Sequence, residues 1–154
     1  MLEKLDRTDK ALLRLIQDKS DYTTKELAAK LNLSPTPVYE RIKKLEKSEI
    51  IVKRVALLDE KKLGFGLTAF CNIQLKEHSK VFLEEFEHNI QEIPEVTSVY
   101  HIAGMSDYLL KVVIKDMQEY QNFVINKLAT LKNIGNVQSS FVMTEVKKST
   151  KLPI

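Results

Sequence analysis

The hydrophobic period of this chain first changes at Gly64 and Gly66, and that change limits the folds open to it. Before the two glycines apolar residues recur at helical spacing, with Val38, Ile42 and Leu45 at i, i+4 and i+7. After them Leu67, Ala69, Cys71, Ile73 and Leu75 alternate with Thr68, Phe70, Asn72 and Gln74, the pattern of a strand with one apolar face. The reading is α+β: a helical domain over residues 1–52, a hinge or linker strand over 53–64, and a sheet-containing domain over 65–154.

In the second part a helix is expected from Ser79 to Ile93, burying Phe82, Phe86 and Ile90 or Ile93, and stopped by Pro94. Strands follow over Val96 to Ala103 and Tyr108 to Lys115, joined by Gly104-Met105-Ser106-Asp107. Asp116 caps a helix carrying Tyr120, Phe123, Val124, Leu128 and Leu131; a turn at Asn133 to Asn136 leads to a last strand, Val137 to Val146. The order β-α-β-β-α-β is the ferredoxin-like sandwich. Its two helices cover one sheet face. The other, expected to bear Phe70, Tyr100 and Phe141, is left for a second copy of the chain.

The first part reads as three helices, a winged helix-turn-helix. Met1-Leu2-Glu3-Lys4 leads into a helix from Asp6 to Lys19, with Asp6 as its N-cap and Leu12, Leu13 and Ile16 buried. Thr23-Thr24-Lys25-Glu26 has capping-box spacing and opens a short helix with Leu27, Ala28 and Leu31 inward. Asn32-Leu33 connects it to Ser34-Pro35-Thr36-Pro37. Ser34 suits an N-cap, its hydroxyl directed at the Thr36 N–H, and both prolines fall in the first turn, where backbone N–H groups lack helical partners. The outward face of this third helix carries Thr36, Glu40, Lys43 and Lys47, flanked by Tyr39 and Lys44. Two short helices, the second one basic, form the arrangement that enters a DNA major groove. The candidate DNA contacts are Ser34, Thr36, Pro37, Tyr39, Glu40, Arg41, Lys43, Lys44 and Lys47. Glu40 could accept from a cytosine amino group or simply pair with Lys43 and Lys44. Ile50 to Leu58 is read as a short strand or wing, with Lys53 and Arg54 placed to meet phosphate.

Net charge is +3, unevenly placed: 15 Lys/Arg against 11 Asp/Glu up to Gly64 (+4), then 9 against 10 (−1). Only the first part is basic enough to suit a polyanion. No apolar run is long enough for a membrane span, no signal peptide opens the sequence, and the lone Cys71 sits in a strand pattern. A cytoplasmic protein with a buried thiol is expected. His78, His88 and His101 lack metal-ligand spacing, and no acid-base or nucleophile pair stands out, so neither an enzyme nor a metal or cofactor is expected. Gly104 to Asp107 is the one chemically equipped loop, although an ordinary hairpin turn would carry the same residues.

Several motifs together resemble the leucine-responsive regulatory protein/asparagine-operon regulator family (Lrp/AsnC). They are Leu5-Asp6-x-x-Asp9-x-x-Leu12-Leu13, Glu26-Leu27-Ala28, Leu33-Ser34-Pro35-Thr36-Pro37-Val38 and Arg41-Ile42-Lys43-Lys44-Leu45-Glu46, then Gly104-x-x-Asp107-Tyr108-Leu109-Leu110-Lys111-Val112 and Glu145-Val146-Lys147. The resemblance implies a bacterial or archaeal transcriptional regulator, nucleoid-associated, that binds double-stranded DNA and assembles as dimers and commonly octamers. It implies an amino-acid effector held between dimers by Gly104, Met105, Ser106, Asp107 and Tyr108, faced by Ser139 and Ser140 on the last strand. Two positions depart from the family pattern. Glu49 stands where glycine usually follows the recognition helix, and Met105 where a carboxylate usually follows the loop glycine. The missing carboxylate points to an apolar effector such as leucine or methionine, or to an architectural DNA-binding protein that ignores small molecules.

Overall fold

A reciprocal capping box starts the first helix: Asp6 accepts from the Asp9 N–H at 2.7 Å, and Asp9 accepts from the Asp6 N–H at 3.2 Å. The computed structural model describes residues 5–154, so the expected lead-in over Met1-Leu2-Glu3-Lys4 lies outside the described residues. Helix α1 is Arg7–Asp18, with Leu12, Leu13 and Ile16 buried. Helix α2 is Thr24–Leu31, opened by the Thr23/Glu26 capping box, and α3 is Pro35–Lys47. Between α2 and α3, Asn32 takes left-handed backbone (φ 54°), a conformation asparagine tolerates. Val38, Ile42 and Leu45 meet the α1 residues and Leu27 in a small core.

Two local expectations are corrected here. Ser34 has the extended backbone of an N-cap, but its side chain makes no capping bond. Pro37 has already removed one of the two donors, at the second and third helical positions, that such a cap serves. The segment from Ile50 to Leu58 is not a strand: it forms no ladder, and Val52, Val55, Leu57 and Leu58 are exposed. β-Branched composition favours a strand only where a second strand is present to bond it.

Helix α3 ends at a left-handed Glu49 (φ 57°). The Ile50 N–H reaches back to the Leu45 carbonyl at 3.0 Å, and the Glu49 N–H to the Glu46 carbonyl at 3.1 Å, the paired bonds of a Schellman cap. The cap therefore forms without glycine, at the cost of left-handed strain. Glu49→Gly is expected to stabilise the first unit by about 0.5–1 kcal/mol, since the relief of strain exceeds the entropy glycine adds to the unfolded chain. Chemical denaturation checks this, and an unchanged or lowered midpoint refutes it.

The second unit holds four strands, β1 (Leu67–Leu75), β2 (Val96–His101), β3 (Tyr108–Ile114) and β4 (Ile134–Phe141). With α4 (Lys80–Gln91) and α5 (Met117–Asn126), followed by one 3₁₀ turn at Leu128–Thr130, they give the ferredoxin-like order β2-β3-β1-β4, all antiparallel. Ala69, Cys71, Ile73, Leu110 and Val112 face Phe86, Ile90, Tyr120 and Phe123 of the helices. Backbones close tightly where β1 begins: a Cβ on Gly66 would lie 2.9 Å from the Lys115 carbonyl oxygen. At the other end of β1, left-handed Asn133 fastens the start of β4. Its side chain accepts from the Glu77 N–H at 2.9 Å and donates to the Glu77 carbonyl at 2.7 Å.

Register corrects two further readings. Phe141 pairs with Ala69, which puts it on the helix-covered face, where it meets the Tyr120 ring edge-on. The open face therefore carries Phe70, Leu109 and Tyr100 without it. Strand β4 starts at Ile134 and ends at Phe141, five residues short of Val146. The chain separates into one unit up to Leu57 completed by Lys147–Ile154, and another from Leu58 to Val146. The last eight residues thus make their contacts with the helices of the first unit.

Candidate DNA interface and effector loop

Helix α3 buries Val38, Ile42 and Leu45 and leaves Thr36, Pro37, Tyr39, Glu40, Lys43, Lys44 and Lys47 exposed along its other side. The spacing alone dictated this division. Lys43 bonds Glu46 at 3.0 Å and lies 5.7 Å from the centre of the Tyr39 ring. An exposed pair of that kind exchanges readily for a phosphate partner. Arg41 is different. Its guanidinium donates to Asp6 at 2.7 Å and to Asp9 at 2.5 Å, bonds that raise its already high basicity. It ties the start of α1 to α3, so the structure places it among the helices instead of on the outward face. Arg54 bonds the Ser20 carbonyl at 3.3 Å and lies 3.5 Å from Glu46, while Lys53 is exposed.

In the second unit the loop between β2 and β3 opens at Gly104, whose φ of +153° suits glycine. Asp107 closes it. One carboxylate oxygen accepts from the Leu75 N–H at 2.7 Å, and the other meets His78 Nε2 at 3.0 Å. The Leu75 bond, opposed by partial burial and aided by His78, holds the Asp107 carboxyl below its usual range. The Asp107 N–H also bonds the Ile73 carbonyl, and the Ile102 N–H bonds the Asp107 carbonyl. The N–H groups of Gly104, Met105 and Ser106 have no backbone partner among the described residues, and the Met105 side chain is 96% exposed.

Tyr108 does not join that surface. It is 1% exposed, donates to Glu87 at 2.7 Å, and is stacked by His101 with ring centres 4.6 Å apart. Burial first, then the Glu87 bond, pushes its phenol well above the usual range. Ser139 and Ser140 are adjacent on β4 and point to opposite faces. Ser139 pairs across from Cys71 and bonds the Tyr120 hydroxyl under α5; Ser140 pairs across from Phe70 on the open face. Burial beside Cys71 pushes the Tyr120 phenol up to about 12. Within the chain β1 lies between β4 and the strand that follows the loop, so the loop and the two serines are not brought together. The partners of His78 and Asn133 leave no motif in the sequence, because each bonds a residue far away along the chain. Among the described residues no group of His, Cys, Asp or Glu could hold a metal, and no helix is long and apolar enough to cross a membrane.

A basic recognition helix on one unit and a chemically equipped loop on a ferredoxin-like unit define a DNA-binding protein with a separate ligand-binding domain. Residues 5–52 match winged helix-turn-helix DNA-binding domains and residues 68–152 the Lrp/AsnC ligand binding domain. The chain belongs to the Lrp/AsnC family of transcriptional regulators. It is 39% identical over 150 residues to the DNA-binding transcriptional activator DecR of Escherichia coli K12, covering 97% of this chain and 99% of the relative. It is 38% identical to the transcriptional regulator AzlB of Bacillus subtilis, with 97% and 96% covered. A Neisseria meningitidis transcriptional regulator solved in complex with L-methionine superposes with a TM-score of 0.93 at 35% identity, with 97% of each chain covered. The chain is a DNA-binding transcriptional regulator with a ligand-binding domain, and these relatives carry the names of transcriptional regulators.

Proposed function

We propose that this regulator changes its DNA affinity or assembly on binding an amino acid with an apolar side chain, leucine or methionine. The carrying observation is the loop itself. Three N–H groups without a backbone partner among the described residues, at Gly104, Met105 and Ser106, suit a carboxylate, and Asp107, fixed in place, retains lone pairs for an ammonium. Exposed Met105 supplies a flexible apolar wall in place of a second carboxylate. That the Neisseria meningitidis relative was solved with L-methionine supports the same ligand class. Ser140, exposed on the last strand, would act from a neighbouring copy, whereas Ser139 and Tyr108 would support the site from behind.

The second reading, an architectural DNA-binding protein without small-molecule response, draws on both Asp107 oxygens being engaged already. A thermal-shift screen against the twenty amino acids, followed by calorimetry, separates the two. Binding of leucine or methionine above asparagine and lysine is expected; no binding by any leaves the architectural reading.

Assembly follows from the uncovered sheet face with Phe70, Leu109 and Tyr100. We infer a dimer through that face and an octamer of four dimers, acting in the cytoplasm on the nucleoid. Sedimentation of the full chain is expected to show no monomer at micromolar concentration. Two-fold symmetry then sets half-sites about one helical turn apart. Lys47→Ala is expected to weaken binding to every sequence and lower the salt slope by roughly 0.9, while changes at Thr36 or Glu40 shift base preference. Binding unaffected by all of these would place the DNA elsewhere.

A further inference from the structure

The last eight residues, Lys147–Ile154, are not an idle end. After β4 stops at Phe141 the chain returns to the helical unit and lies along α1. There the Gln17 side-chain amide treats Leu152 as a strand would: its oxygen accepts from the Leu152 N–H at 2.6 Å, and its nitrogen donates to the Leu152 carbonyl at 3.4 Å. One turn earlier, Arg14 Nε donates to the Ile154 carbonyl at 2.5 Å. Lys151 pairs with Asp18, and the Ile154 side chain packs against the core that supports α3. Backbone-directed bonds at two positions fix the register, a charge pair fixes the direction, and one apolar side chain anchors the end.

We propose that the α1 face formed by Arg14, Gln17 and Asp18 is a peptide-docking surface whose occupant is the chain's own segment Lys147–Ile154, and that the DNA-binding unit needs this latch closed to hold its recognition helix. The route to DNA is short. Helix α1 with its N-cap supplies Asp6 and Asp9, which hold Arg41 of α3, and Leu12, Leu13 and Ile16, which pack with Val38, Ile42 and Leu45. Latching one side of α1 therefore steadies the surface on which α3 rests. The segment also changes the charge of the unit. Residues 1–57 with 147–154 hold 16 Lys/Arg against 9 Asp/Glu (+7), while residues 58–146 hold 8 against 12 (−4). Three of the seven net positive charges arrive with Lys147, Lys148 and Lys151, which adds to the attraction for a polyanion.

The full chain with Gln17→Ala and Asp18→Asn tests this. Alanine is the better helix former, and removing an acid from the end of α1 suits the helix dipole, so both changes strengthen α1 by themselves. Asp18→Asn also makes the protein more positive. Without a latch, DNA affinity would stay level or rise. With it, affinity is expected to fall 3- to 10-fold, and the amide protons of Leu152 and of α1 are expected to exchange at least 10-fold faster. A second chain ending at Val146 is expected to bind DNA weakly, and the free peptide Lys-Lys-Ser-Thr-Lys-Leu-Pro-Ile to restore part of its affinity at millimolar concentration. Unchanged or increased DNA affinity of the double variant, or exchange of the wild-type Leu152 amide at the rate of a free peptide, overturns the proposal.

Discussion

Asp107→Ala is expected to loosen the effector loop and abolish any amino-acid response together, because the carboxylate both closes the loop and supplies its negative charge. Removing it strands the Leu75 N–H, and a buried donor left without a partner costs about 1–3 kcal/mol. Asp107→Asn separates the two roles. An amide oxygen still accepts from Leu75, so the fold is expected to hold while the grip on an α-ammonium weakens. Calorimetry with leucine and methionine reads the second effect, and hydrogen exchange at the Leu75 amide the first. Wild-type exchange in the alanine variant would remove the closing role; full amino-acid binding by the asparagine variant would remove the charge role. A pH titration adds a sign. The folded Asp107 carboxyl ionises below its usual range, held there first by the Leu75 N–H. Its charge-dependent stabilisation is therefore fully present above the unfolded value of about 3.9 and is lost as pH falls through the folded value. Any stability gap between wild type and Asp107→Asn is expected at neutral pH and should close on acidification.

What could be read in the sequence was whatever repeats locally. The three helices, their capping boxes at Asp6 and Thr23, and the inward set of Val38, Ile42 and Leu45 follow from period and spacing. So does the order of the second unit, since alternation and turn residues mark each strand. Its failures share a cause: they depend on partners distant in sequence. The segment from Ile50 to Leu58 has strand composition but no strand beside it. Composition suggests the open face for Phe141, but the register that sets it against Ala69 depends on a distant strand and turns it to the covered face. Tyr108 opens β3 as the alternation predicts, but its side chain turns inward to Glu87 and does not line the loop. Ser139 and Ser140 read as a pair of hydroxyls in sequence, but a strand sends them to opposite faces. The return of Lys147–Ile154 to α1 left no periodic signal at all. Its contacts run through a side-chain amide and backbone groups that any sequence carries.

Arg41, on the recognition helix itself, is expected to serve DNA binding without touching DNA. Its bonds to Asp6 and Asp9 join α3 to the first turn of α1, and Asp9 is mostly shielded there, with 15% of its side chain exposed. Arg41→Ala would leave that carboxylate without its cation. Hydrogen bonds to charged groups are worth about 1.5–3 kcal/mol, and for the shielded bond to Asp9 the lower part of that range applies because Arg41 is itself a third exposed. In a unit of this size, such a loss lowers the melting temperature by roughly 10 °C. DNA affinity should fall as well, but with a distinctive signature. No phosphate contact is removed, so the slope of log affinity against log salt should stay where it was once measurements are made well below the new melting temperature. Lys47→Ala should behave in the opposite way, with an unchanged melting temperature and a shallower slope. Comparing the two variants by calorimetry and by salt-dependent DNA titration decides the assignment. A shallower slope for Arg41→Ala at wild-type stability would make Arg41 a phosphate ligand, with its ion pairs to Asp6 and Asp9 incidental.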